Sequence, residues 1–66
     1  MGLTSAEEIE QVPAGCTVLL AEDNDINIMV ARGMLESMGC EVTVASNGIE
    51  ALALMRRQTF DVVLMD

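Results

Sequence analysis

Three carboxylates are spaced so that a fold could bring them to one place. Glu22 and Asp23 follow the apolar run Thr17-Val18-Leu19-Leu20, and Asp66 stands in the same relation to Asp61-Val62-Val63-Leu64-Met65. If the two runs are neighbouring parallel strands, all three acids meet at the carboxyl end of one sheet. Open α/β sheets bind ligands at that end, where the strand order reverses. Asp and Glu oxygens in this number suit a hard cation such as Mg²⁺, with coordination positions left for phosphate oxygens. The residue types therefore point to phosphoryl handling.

The elements that must position these acids are legible along the chain. Thr17 to Ala21 is a continuous apolar run of strand length, as expected of a strand covered on both faces. Glu22-Asp23-Asn24-Asp25 breaks it with residues that favour loops and helix caps. From Ile26 to Met38, the apolar residues Val30, Ala31, Met34, Leu35 and Met38 recur at helical spacing, and Gly39 stands where a left-handed C-cap is wanted. Val42 to Ala45 is a second strand rich in β-branched residues. Ser46-Asn47-Gly48 turns into a second helix with Ala51, Leu52 and Met55 facing inward and Arg56 and Arg57 in its last turn. Phe60 leads into the third strand, Asp61 to Met65. Strands near 17–21, 41–45 and 61–65 and helices near 25–38 and 48–58 are predicted.

Alternating strands and helices imply a parallel sheet with right-handed crossovers. The spatial order second strand, first, third puts the two helices on opposite faces and the switch point between the first and third strands. There Glu22, Asp23 and Asp66 converge. The third strand is then an open apolar edge, which invites pairing with another chain, and a homo-oligomer is expected through it. Residues 1–15 differ in character. Ser5 and Glu8 make a capping-box pattern, Pro13 ends any helix begun there, and the segment reads as a linker or N-terminal extension outside the fold.

Composition narrows the partners. The net charge is −8, with eleven acidic residues against three Arg and no Lys. Nucleic acid is excluded as a direct partner, because its phosphates are bound mainly by basic side chains. The hydrophobic share of 52%, with one Phe, no Tyr or Trp and six Met, implies an aliphatic, Met-rich core to which Met34, Met38 and Met55 contribute. Cys16 and Cys40 are too few for a disulfide framework, match no zinc spacing and read as small fillers ahead of two strands, with a bridge or reactive thiol as the alternative. There is no His for a metal site or general base. No run reaches the ~18 apolar residues of a membrane span, and the acidic N-terminus is not a signal peptide. No membrane contact and a cytoplasmic address are expected.

Several of these segments resemble the receiver domain of two-component response regulators. Leu20-Ala21-Glu22-Asp23-Asn24 followed by Asn27 is similar to that family's first strand and acidic loop, in the version typical of hybrid sensor kinases. Leu35-Glu36-Ser37-Met38-Gly39 resembles the end of its first helix, Asn47-Gly48-Ile49-Glu50-Ala51-Leu52 the opening of its second, and Phe60 to Asp66 its phosphoacceptor strand. The resemblance covers residues 17–66. It implies the βαβαβ half of a flavodoxin-like fold with strand order 2-1-3, residues 16–66 forming a truncated receiver. It further implies that Asp66 accepts a phosphoryl group from phosphohistidine on a histidine kinase or phosphotransfer domain, and that the chain is a phosphoacceptor and not an enzyme. Asp23 is then a direct Mg²⁺ ligand, Glu22 acts through a water, and Asp66 completes the set.

The family's fold has five strands, and its fourth-strand Thr or Ser and fifth-strand Lys have no counterpart here. The segment alone is therefore expected to be inactive, and the alternative function is a half-receiver acting only as a homo-oligomerising module. A third reading, an aspartyl-phosphate phosphatase of the haloacid-dehalogenase type, rests on the string Asp23-Asn24-Asp25. The strand-proximal Glu22 and the short chain argue against it. Asn27 reads as a plain polar helix residue, with a hydrogen bond to the acidic loop as the other reading.

Overall fold

The computed structural model describes residues 9–65. Five elements alternate along them: β1 (Thr17–Ala21), α1 (Asp25–Ser37), β2 (Glu41–Ala45), α2 (Gly48–Arg57) and β3 (Val62–Met65). The strands form one sheet in the order β2-β1-β3, both pairings parallel. Leu20 lies between Val44 on one side and Leu64 on the other. This is the predicted βαβαβ half of a flavodoxin-like fold.

β1 is apolar throughout because both of its faces are covered. Val18 and Leu20 belong to one cluster with Ala31 and Leu35 of α1, Cys16, Cys40 and Leu64. Leu19 and Ala21 belong to another with Ala45 and Ala51, against which Leu54, Met55 and Phe60 pack. Successive strand residues point to opposite faces, so the two helices flank the sheet on opposite sides.

Local chemistry ends each element where the sequence changes. Asn24 caps α1, its Oδ1 accepting from the backbone N–H groups of Ile26 and Asn27 at 2.9 and 3.1 Å. At the other end Gly39 has φ of 82°, a conformation costly for any residue with a Cβ. The Cys40 and Gly39 N–H groups donate to the carbonyls of Leu35 and Glu36, the paired bonds that close a helix at a left-handed glycine. The third strand begins one residue later than predicted, at Val62. Asp61 is used as a clasp instead: its carboxylate accepts from the Thr17 N–H at 2.9 Å and the Thr17 hydroxyl at 3.1 Å.

The helix faces depart from the predicted stripes by one residue each. α1 buries Ala31 and Leu35 with Met34 and Met38 alongside, and Val30 is 57% exposed. α2 approaches the sheet through Ala51, which is fully buried, and Leu52 is 53% exposed. The small side chains of Ala21, Ala45 and Ala51 meet there, and the close approach they permit turns Leu52 outward. Met34, Met38 and Met55 border the clusters from half-buried positions and do not fill their centres.

The core also reaches into the segment expected to lie outside the fold. Ile9 and Val12 are buried in the α1-side cluster, and the Val12 N–H donates to the Ile9 carbonyl at 3.0 Å. Ser5 and Glu8, the expected capping box, lie outside the described residues. Removing a buried Ile side chain costs about 2–5 kcal/mol. Ile9→Ala is therefore expected to lower the urea midpoint substantially, and an unchanged midpoint would show that this segment carries no stability.

Cys16 and Cys40 are free, buried and neighbours, with Sγ atoms 3.7 Å apart. Burial pushes the Cys16 thiol above its ordinary pKa, and the adjacent Cys40 and Asp61 add to the rise. The folded chain thus holds this proton more tightly than the unfolded chain. The stabilisation is complete below the unfolded thiol's pKa of about 8.5 and is lost as pH rises through the folded value. With no Lys or Tyr in the chain, few other groups titrate in that range. Urea midpoints are expected to fall on the alkaline side, and Cys16→Ala to flatten that fall. An alkaline limb identical in the variant contradicts the assignment.

Candidate functional site

The site is built where β1 runs out. The Glu22 N–H donates to the Ala45 carbonyl at 2.9 Å, which carries the β1–β2 ladder one residue past the strand. Glu22 is held at the carboxyl end of the central strand and is 3% exposed, the one buried acidic residue among those described. Its Oε1 accepts from Asn27 Nδ2 at 2.9 Å, and its Oε2 is buried with no hydrogen-bond partner. Asp23, the next residue, is exposed.

Glu22 and Asp23 form one wall of a cleft of about 180 Å³. Ser46, Asn47 and Gly48, which lead into α2, form the opposite wall, and Ala21 and Met65 complete it. The loop on that side is closed on itself. Asn47 Oδ1 accepts from the Glu50 N–H at 2.8 Å, and the Glu50 carboxylate accepts from the Ser46 N–H and hydroxyl at 3.1 and 3.0 Å. Glu50 is thereby committed to capping α2.

Of the three carboxylates singled out in the sequence, Glu22 and Asp23 share this cleft. Asp66 lies outside the described residues. It follows Met65, which pairs with Ala21 in register and lines the cleft. Among the described residues no group of three or more His, Cys, Asp or Glu is close enough to hold a metal ion. The donor set nevertheless fits a hard cation. A buried carboxylate oxygen without a donor carries a cost that a cation or its bound water removes, and Asp23 adds an exposed oxygen donor beside it.

Asn27 is the site residue that the sequence reading underrated. It is half-buried in the first turn of α1 and bonds the acidic loop through Glu22. Its place after the acidic loop allowed a hydrogen bond to that loop as the second reading, and the structure shows that bond, with Glu22 as the acceptor. No helix among the described residues is long and apolar enough to cross a membrane.

Comparison with known proteins bears on this arrangement. The family model described as the response regulator receiver domain matches residues 18–66. The chain is similar to the probable histidine kinase 1 of Oryza sativa subsp. indica, 45% identical over 49 residues, 74% of this chain and 5% of that protein. Histidine kinase 5 of Arabidopsis thaliana is 47% identical over 49 residues, again 74% of this chain and 5% of the relative. The hybrid signal transduction histidine kinase K of Dictyostelium discoideum is 47% identical over 55 residues, 82% of this chain and 4% of the relative. The chain thus spans about one-twentieth of the length of these relatives. No solved structure matches it. The matched segment begins inside β1, contains both walls of the cleft and runs through β3, and on that match the chain belongs to the response regulator receiver domain family.

Proposed function

We propose that this chain is the phosphoacceptor part of a two-component phosphorelay in the cytoplasm. Asp66 takes a phosphoryl group from phosphohistidine on a histidine kinase or a phosphotransfer domain. A carboxylate oxygen of Asp66 bonds to phosphorus as the phosphorus–nitrogen bond breaks, and its electron pair returns to the imidazole. The chain is consumed as an acceptor in this step and is not an enzyme. The observation that carries the reading is Glu22: a buried carboxylate with one unpaired oxygen, beside Asp23, at the carboxyl end of the central strand.

Asp23 and Asp66 hold Mg²⁺ directly in this reading, with Glu22 behind a water. When bound, Mg²⁺ offsets charge on the phosphoryl oxygens. The chain's own groups do the rest. β1 fixes the two acids through the sheet, and the closed Ser46–Glu50 loop keeps a further carboxylate away from the incoming phosphoryl group.

The segment supplies only the acidic side of this chemistry and is expected to be inactive by itself. The test is therefore labelling by the small donor acetyl phosphate once residues 16–66 are joined to the fourth and fifth strands of a receiver. In that completed domain labelling is expected at a single position in the presence of Mg²⁺, read as one added phosphoryl group by mass, and lost in Asp66→Asn. Asp23→Asn is expected to slow labelling about 100-fold or more, as several kcal/mol of charge stabilisation is removed. No label on the completed wild-type domain, or label retained in its Asp66→Asn variant, overturns the proposal.

A second reading is favoured by β3. Val63 and Met65 are exposed on the α2 side of the sheet, and among the described residues β3 pairs only with β1. Pairing of third strands between two copies about a two-fold axis covers both features, and the chain then acts as a homo-oligomerising module. Sedimentation is expected to show a concentration-dependent dimer that Val63→Asp weakens. A compact, cooperatively folded monomer at micromolar concentration contradicts this.

A further inference from the structure

The first turn of α1 carries an arrangement that helix formation does not require. Asn24 is the N-cap, which makes Asn27 the third residue of the helix. In a capping box that third position is Glu or Gln, and its side chain reaches back to the N-cap backbone. α2 carries a variant of that pattern: Glu50 holds the same position and its carboxylate accepts from Ser46, the residue before the N-cap Asn47. In α1 the side chain is an Asn, and it turns past the cap to donate to Glu22 Oε1 at 2.9 Å. A Glu at position 27 would set a second carboxylate against a buried one. The same chain thus uses Glu where a helix only needs closing and Asn where the helix must hold an acid.

Each part of this contact is fixed from behind. The Asn27 backbone N–H donates to Asn24 Oδ1, which ties the residue to the loop. Asn24 Oδ1 is committed to two backbone N–H groups of α1. The Glu22 backbone is fixed by Ala45. The Asn27 amide is therefore the one donor on the Glu22 carboxylate among the described residues, and it takes one oxygen and leaves the other unpaired.

We propose that Asn27 is a positioning residue: it orients the buried Glu22 carboxylate so that its second oxygen is held ready for a divalent cation or that cation's water. The inference rests on the reading of Glu22 and Asp23 as cation ligands. Without the Asn27 donor both Glu22 oxygens lack a partner in a buried place, and the carboxylate turns toward water and away from the cleft. Groups that orient metal ligands in this way change affinity by about 10–100-fold when removed.

The test is a Mg²⁺ titration of the full 66-residue chain followed by NMR, with helix content read by circular dichroism in each sample. The wild-type chain is expected to show its largest shifts at Glu22, Asp23 and Asp66. Asn27→Ala is expected to bind Mg²⁺ about tenfold or more weakly with helix content retained, since Ala is the best helix former. Asn27→Gln, which keeps an amide donor, is expected to recover part of the loss. Arg32→Ala, which removes only the exposed pair with Glu36 on the same helix, is expected to bind as wild type does. Asn27→Leu, of similar branched shape and without a donor, carries the same expectation if the alanine variant does not fold. A folded alanine or leucine variant with wild-type affinity overturns the inference and leaves the cation reading standing. Equal losses in the Asn27 and Arg32 variants overturn it as a general stability effect. Wild-type shifts centred on Glu7, Glu8 and Glu10, or none at all, overturn the cation reading and this inference together.

Discussion

The double burial of β1 is the constraint on which the rest of this structure depends. Val18, Leu19 and Leu20 are without exposure, and the strand pairs with a neighbour on each side. A strand in that position cannot slip by one residue without moving its side chains to the wrong faces, because the side-chain period is two. Its carboxyl end is therefore a fixed point. Glu22 and Asp23 inherit that fixity by following Ala21 directly, and the Glu22–Ala45 bond extends it by one residue. A flexible loop could not hold a buried carboxylate with one oxygen unpaired. A strand locked on both faces and both edges can.

The two ends of the sheet divide the work. At the amino end everything is closed: Asp61 clasps Thr17, the Cys16 and Cys40 thiols fill the gap between β1 and β2, and Gly39 turns α1 into β2. No charge is left buried and unpaired there among the described residues. At the carboxyl end the helices begin, and each first turn is capped by an Asn from the loop. Helix starts present unsatisfied N–H groups, so loops at this end are polar by necessity. The same necessity places acids, amides and hydroxyls around one cleft. The candidate site sits where the fold already requires polar residues, and the apolar core behind β1 offsets the cost of burying Glu22.

Much of this was legible in the residues. The strands were marked by short apolar or β-branched runs between turn residues, and their ends agree with the structure to within a residue. The α1 stop was marked by Gly39, which a left-handed cap needs. The helix faces were harder to read, for a physical reason. Hydropathy weights large side chains, so Val30 and Leu52 looked like inward positions, but the closest approach of α2 to the sheet is made by Ala51 against Ala45 and Ala21. Small residues mark contact by their size, which a hydrophobic stripe does not register. Ile9 and Val12 were missed because Pro13 and the acidic residues around them resemble a linker, and only the tertiary fold supplies the surface they cover. The Asn27 contact was legible only as the second of two readings, because an Asn in a first helical turn can serve the cap, the solvent or a neighbour.

The coverage of the two sheet faces differs, and the difference bears on the cleft. On the α1 side, Ile9, Val12, Ala31 and Leu35 join a cluster that extends as far as Leu64 of β3. On the other side α2 sits against Leu19, Ala21 and Ala45, and the β3 residues Val63 and Met65 remain exposed. Burying such side chains is worth about 25 cal/mol per Å² of apolar surface, so this strip favours whatever packs against or pairs with β3. Met65 is both part of that strip and part of the cleft wall. A group that covers β3 therefore also borders the acidic site. Association along this edge and access to Glu22 and Asp23 are then not independent: what packs on Val63 and Met65 sets how open the cleft can be, and the rigidity of β1 makes the acids unable to move away from it.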